Sequence, residues 1–341
     1  MRVRAALRSR TVRLALIAGV TATLVAGAVV NANAAAGSTE NWTFGSFWGG
    51  VCTCIADVDA DGRSDAVAIG NGPTVVRRSQ DNQFRFTREN WTSGPAGGQR
   101  ATALADVTGD GRADLVAVNN NGIYVRPSSG AGFGDPQRWS DEFWGDGDEH
   151  DAGGFMVADR GTYFADVTGD GLADAIAVTT GTVVVRRSWG GGFGGDEDWT
   201  FGPFWGNWNT AFADVDSDGL ADAIAVNDDR IWVRRSNGSW FNGNEEWAEG
   251  PFVAMRSKGF TLYGNDFFAD VTGDGRADAI GVFPNKIQVR RSVGDWFESP
   301  QDWTPDAFFG NRETWFTDVT GDGKANSIAV NGNGIFVRRS F

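Results

Sequence analysis

Short apolar runs recur along the chain, each cut off by Asp, Asn or Gly. Asp174-Ala-Ile-Ala-Val178 and Asp222-Ala-Ile-Ala-Val226 read as short buried strands. The unit around each run has a constant grammar. A first strand ends in an apolar-Ala-Asp-Val group, as in Leu104-Ala-Asp-Val107 and Phe268-Ala-Asp-Val271. An acidic loop leads to the Ala/Val/Ile-rich second strand. A polar turn such as Asn227-Asp-Asp-Arg230 leads to a third, Ile231-Trp-Val-Arg-Arg-Ser236. After a Gly-rich turn, a fourth ends at tryptophan: Trp42, Trp91, Trp139, Trp199, Trp247 or Trp303. Four short strands repeated about every fifty residues are the signature of propeller blades.

Six such tryptophans predict an all-β, six-bladed β-propeller with four-stranded antiparallel blades. Trp42 precedes the first acidic loop, and the chain stops at Arg338-Arg-Ser-Phe341, one strand short of a final blade. Residues near Glu40 to Phe44 are therefore expected to complete the sixth blade, removing free sheet edges.

The acidic loops carry the candidate chemistry. Oxygen-bearing side chains recur at loop positions 1, 3, 5 and 9, and glycine always holds position 6. The sets are Asp57, Asp59, Asp61 and Asp65; Asp106, Thr108, Asp110 and Asp114; and Asp166, Thr168, Asp170 and Asp174. They continue as Asp214, Asp216, Asp218 and Asp222; Asp270, Thr272, Asp274 and Asp278; and Asp318, Thr320, Asp322 and Asn326. Hard cations take six to eight oxygen ligands, so this spacing suits about one calcium ion per blade. A plain Asp/Gly turn would need only one or two of these residues, and gathered carboxylates without a cation would repel one another. Position 7 varies (Arg63, Leu172, Lys324), consistent with a backbone carbonyl ligand. Position 2 is always valine, an expected apolar anchor. The loop is not an EF-hand, because position 12 is Ala or Gly where a bidentate Glu is required.

The segment Phe164-Ala-Asp-Val-Thr-Gly-Asp-Gly-Leu-Ala-Asp-Ala-Ile-Ala-Val178 resembles the FG-GAP/VCBS repeat family, which includes the integrin alpha-chain propellers. The resemblance covers nearly all of the chain after residue 34. It implies a propeller with calcium bound in a loop of each blade. Two departures matter: a neutral Thr at position 3 in four loops, and Asn326 at position 9 of the last.

Residues 1–34 have the form of a signal peptide: Arg2, Arg4, Arg8, Arg10 and Arg13, then an apolar run from Leu14 to Val30, then Ala32-Asn33-Ala34. The propeller is expected to occupy residues 35–341 of a secreted protein. Cleavage removes five arginines and no acid, leaving 25 basic against 44 acidic residues, a net charge of −19. That charge argues against nucleic acid or an anionic membrane as partner, and no later stretch is long enough to insert in a bilayer. Cys52 and Cys54 are the only cysteines. On one strand their Cα atoms would lie about 6.6 Å apart, near the upper limit for a disulfide, so a bond and two packed thiols remain alternatives.

The spacing from tryptophan to the next loop identifies two inserts, twelve residues after Trp139 and eight after Trp247. Loops of an antiparallel blade alternate between faces, which puts both inserts opposite the acidic loops. Trp48, Trp144, Trp205 and Trp208 lie in connections on that opposite face and are candidate ligand platforms. The six recurrent tryptophans are expected to pack blade on blade. The Val-Arg-Arg-Ser runs (Arg77, Arg186, Arg234, Arg290, Arg338, with Arg126-Pro127 as the variant) are expected to make internal ion pairs or cation–π contacts. His150, the sole histidine, lies in an acidic insert, and no Ser/His/Asp or Cys/His set accompanies it.

These features point to a monomeric, non-enzymatic binding module for carbohydrate or an extracellular glycoprotein. An integrin-like adhesion surface and a polysaccharide lyase or hydrolase are the alternatives.

Overall fold

Six four-stranded antiparallel sheets, each with its first strand innermost, form the ring in the computed structural model, which describes residues 36–146, 160–250 and 266–341. The first blade comprises Cys52–Ala56, Asp65–Ile69, Val75–Arg77 and Glu89–Asn90. The fourth comprises Asn209–Ala213, Asp222–Val226, Arg230–Arg234 and Glu245–Glu249. The other blades repeat this order, and no α-helix occurs among the described residues. The first strands touch one another in sequence, and the first blade's meets that of the last, Glu313–Thr317. The expected signal peptide, His150 and most of both inserts lie outside the described residues.

The sixth blade is completed from the other end of the chain. Glu40–Asn41 pairs with Gly334–Arg338, matching Glu40 to Val337. Further in, Ala36 bridges Ser340 and its N–H donates to the Trp303 carbonyl at 3.3 Å. In the second to fifth blades a phenylalanine makes both contacts; Phe133 bridges Ser128 and donates to Trp91. The N-terminal segment therefore replaces two elements of the last blade, its outer strand and its outer turn.

The core lies between sheets. The second-strand residues Val67, Ile176 and Ile224 are fully buried, as is every position-2 valine from Val58 to Val319. The recurrent tryptophans pack edge-on against the next blade: Trp42 on Phe84 at 5.4 Å, Trp91 on Phe133 at 5.1 Å, Trp199 on Phe241 at 5.2 Å. In Trp42, Trp91, Trp199 and Trp247 the indole N–H donates to a glutamate two residues earlier, as from Trp91 to Glu89 at 3.1 Å. The second arginine of the run lies over the same ring, Arg78 on Trp91 and Arg187 on Trp199, both at 5.5 Å. The first arginine instead covers a phenylalanine at the blade entrance, Arg77 on Phe47 at 5.1 Å. Cys52 and Cys54 form a disulfide with Cα atoms 5.5 Å apart on the innermost strand.

Candidate metal centres

The first aspartate of each loop shapes it. Asp57 accepts backbone N–H groups from Ala60 at 2.8 Å and Gly62 at 2.9 Å. Asp214 does the same with Ser217 at 2.6 Å and Gly219 at 2.9 Å. This wrap forces φ to +82° at Gly62 and +87° at Gly219, a region costly for any residue with a Cβ. It explains the invariant glycine at position 6.

In two loops the wrap gathers carboxylates. Oxygens of Asp57, Asp59 and Asp61 lie within 4.8 Å of one another, as do those of Asp214, Asp216 and Asp218. Asp59 Oδ1 is buried without a hydrogen-bond partner. An orphaned, buried carboxylate oxygen beside two others is the donor set a hard divalent cation requires. These two clusters can hold a metal ion, and they are the loops with Asp at position 3. In the other four, Thr takes that place; Thr168 Oγ1 donates to Asp166 at 3.4 Å.

The ninth-position acid stands behind the cluster. Asp65 and Asp222 are fully buried. Asp65 accepts the Ser79 N–H at 2.7 Å, and Asp222 accepts those of Ser236 at 2.9 Å and Val215 at 3.2 Å. A carboxylate oxygen has two lone pairs, so one remains for an ion. Burial, aided by repulsion from the neighbouring aspartates and opposed by the backbone N–H bonds, pushes the Asp65 and Asp222 carboxyls up to about 8. Asp218 is raised to about 6 mainly by burial, with Asp216 and Asp214 adding repulsion. A bound cation would reverse this preference for the neutral form.

Position 7 also contributes its side chain. The Arg63 side chain pairs with Asp61 at 2.5 Å, Arg276 with Asp274 at 2.6 Å, and Arg112 with Asp110. An ion must compete with these guanidinium groups. Leu220 leaves Asp218 free of such a rival. Position 3 also has a cation: Arg78 reaches Asp59 at 3.0 Å, and Arg235 reaches Asp216 at 3.5 Å.

The candidate ligand tryptophans are placed less openly than their spacing suggests. Trp48, Trp144 and Trp205 share a Phe-Trp-Gly motif (Phe47-Trp48-Gly49, Phe143-Trp144-Gly145, Phe204-Trp205-Gly206), so they belong to the repeat. Each lies under an arginine of the preceding blade's entrance: Arg312 at 3.5 Å, Arg100 at 3.8 Å and Arg160 at 5.2 Å from the ring centre. Trp48 is 41% exposed; Trp144 and Trp205 are half-buried. Trp208 is half-buried, and its indole N–H donates to Asp228 at 2.5 Å.

More open indoles lie on the other face. Trp189 is 68% exposed, Trp240 50% and Trp296 54%. All three sit in turns between third and fourth strands, which share the face of the acidic loops. These turns rest on the preceding blade's loop, Ser236 Oγ donating to Val167 O at 2.6 Å. Trp189 lies flat along Gly191 and Gly192, where an added Cβ would stand 2.4 Å and 2.6 Å from ring atoms. The available signal was a tryptophan inside a Gly-rich turn.

A model of the FG-GAP-like repeat matches residues 57–117 and 166–225. No curated protein matches the chain. Among solved structures, the chain is similar to an Agrocybe aegerita lectin described as recognising non-reducing terminal N-acetylglucosamine. The two are 28% identical with a TM-score of 0.60, over 81% of this chain and 73% of the lectin. A Photorhabdus luminescens Tc holotoxin pore is 16% identical with a TM-score of 0.61, over 90% of this chain and 14% of that one. A PQQ-bound aldose sugar dehydrogenase from Streptomyces coelicolor is 13% identical with a TM-score of 0.51, over 89% and 98%. The last two share the fold alone. The chain is thus a six-bladed β-propeller that carries FG-GAP-like repeats.

Proposed function

We propose that the chain is a secreted, calcium-stabilised carbohydrate-binding module without a catalytic role, acting as a monomer. The observation that carries this reading is the 28% identity to the N-acetylglucosamine-recognising lectin over most of both chains. Trp189, Trp240 and Trp296 supply flat, solvent-facing rings of the kind that stack on the apolar face of a sugar. Trp48, with part of its ring exposed, is a further platform on the opposite face.

Calcium would be held by Asp57, Asp59 and Asp61 with Asp65 behind, and by Asp214, Asp216 and Asp218 with Asp222 behind. It would neutralise gathered charge and stiffen the Asp214 loop, on which the Trp296 turn rests through the Ser292 hydroxyl bound to the Val215 carbonyl. A glycan array run with calcium and with chelator tests the proposal. Binding of glycans ending in N-acetylglucosamine, weakened by chelator and unaccompanied by glycan cleavage, is the expected outcome. Silence across the array, or release of cleaved product, would overturn it.

A further inference from the structure

We infer that the gap between the first and second blades holds a pocket for a carboxylate-bearing sugar residue, centred on Arg126. Four described blade entrances carry a phenylalanine that fills the space beneath the blade's first arginine. Phe47 lies under Arg77 at 5.1 Å, Phe143 under Arg186 at 4.6 Å, Phe204 under Arg234 at 4.7 Å, and Phe308 under Arg338 at 4.6 Å. The second blade has Ala96-Gly97-Gly98 at the corresponding entrance. With no ring there, a cavity of about 270 Å³ opens beside Arg126, floored by Ala96, Gly97 and Ala117.

The walls are rich in donors. Arg126 makes one hydrogen bond, to the Gly134 carbonyl at 3.0 Å, and has no carboxylate partner among the described residues. By contrast, Arg186 pairs with Asp141 and Asp196 at 2.5 Å, and Arg338 with Asp306 at 2.7 Å. The Tyr124 oxygen accepts from Asn121 at 3.0 Å, which leaves the phenol proton to donate into the pocket. The Gln99 and Asn119 side-chain oxygens accept backbone N–H groups at 3.2 Å and 3.0 Å, so Gln99 offers its amide NH₂, and Asn119, whose NH₂ also donates to the Ala117 carbonyl at 3.5 Å, offers its second amide hydrogen. No lining residue is acidic, in a chain of net charge −14.

One fixed guanidinium ringed by neutral donors selects an oxygen-rich anion, and a planar carboxylate fits the guanidinium fork. The volume is below the roughly 300–1,000 Å³ of drug-sized sites, which suits one sugar ring. The choice of carboxylate rests on Arg126. The choice of a sugar rests on the carbohydrate reading above.

The test is NMR titration of the full mature chain in calcium with glucuronate, galacturonate, glucose and acetate. Uronates should bind, with glucose and acetate each at least about tenfold weaker. Arg126→Gln should weaken uronate by about tenfold, and Ala96→Phe, which restores the filled entrance, should abolish it while the melting temperature holds. If Ala96→Phe does not fold, Arg126→Gln carries the test. Acetate binding as tightly as glucuronate would overturn the assignment to a sugar. Absent uronate binding, or binding unchanged in the variants, would overturn the pocket; glycan-array binding that persists in those variants would leave the carbohydrate reading standing. Uronate binding lost in Ala96→Phe, with a silent array, would support the pocket and sink the wider reading.

Discussion

The hydroxyl of Ser79 donates to the carbonyl of Val319 at 2.6 Å, across the seam where the first blade meets the last. The same bond joins Ser128 to Val58 at 2.6 Å and Ser188 to Val107 at 2.7 Å. The N–H of each serine is held by the ninth-position aspartate of its own blade. A second latch runs beside it: Ser64 N–H donates to the Asp318 carbonyl at 2.7 Å, and Ala113 to Asp57 at 2.7 Å. The acidic loops are thus also the fasteners between blades, and a change in a loop is felt by its neighbour.

Ser79→Ala removes a buried bond at the seam. The expected cost is about 1–2 kcal/mol, from an acceptor left unsatisfied. Urea denaturation at fixed calcium measures it; an unchanged midpoint would mean that the backbone latch alone holds the seam.

The raised carboxyls make the ion-free protein sensitive to pH. Asp65 and Asp222 titrate near 8 in the fold against an ordinary 3.8, so the folded state binds protons more tightly than the unfolded one. Their stabilising contribution is complete below pH about 4 and is lost as pH rises towards 8. Glu313, pushed up to about 7 chiefly by burial, acts in the same direction. In chelator, the melting temperature should fall from pH 5 to pH 8. Calcium should flatten that slope, because it favours the ionised form. A chelated protein whose melting temperature rises over this range would contradict the assignment.

Asp222→Asn copies the sixth loop, where Asn326 accepts the Val319 N–H at 3.1 Å. The acceptor for the Val215 N–H survives, the oxygen that holds the Ser236 N–H becomes an NH₂, as Asn326 Nδ2 stands buried without a partner, and the buried charge is gone. At pH 7 in chelator the variant should be more stable by roughly 1–3 kcal/mol: no carboxyl has to be protonated on folding, and the Ser236 N–H left without its acceptor offsets part of that gain. It should lose part of the calcium-induced stabilisation. Calorimetric melts with and without calcium read both effects.

Binding of an N-acetylglucosamine-terminated glycan should fall by on the order of 1–3 kcal/mol in Trp189→Ala, as for other stacking anchors. Gly191→Ala should weaken it too, because the new methyl pushes the ring off its seat. Trp144→Ala, whose ring lies under Arg100, should lose less. Titration calorimetry in saturating calcium ranks the three; equal losses would return the opposite face to consideration.

Deleting residues 35–46 removes the strand paired to Gly334–Arg338 and the Ala36 bridge to Ser340. The product should aggregate or melt well below the intact chain, although no acidic loop is touched. Size-exclusion chromatography with a thermal melt checks this; a monomer of unchanged stability would refute closure by this segment.

The sequence by itself determined the blade count, the strand order, the tryptophan packing and the N-terminal closure. All follow from local spacing, and a repeat that buries one face per strand leaves few other ways to stack. The loop positions were legible for the same reason, since a nine-residue wrap is dictated by its own aspartate and glycine. Tertiary structure alone decided what each side chain meets across a blade boundary. The arginine of Arg100 covers Trp144, 44 positions away, and Ser79 reaches Val319 from the far end of the chain. The opening beside Arg126 exists because Ala96 stands where neighbouring blades place a ring, which shows only when the entrances are superposed. Exposure of Trp189 was likewise undecided by its residue type, because an indole in a Gly-rich turn folds inward or lies flat according to what the adjoining blade leaves free.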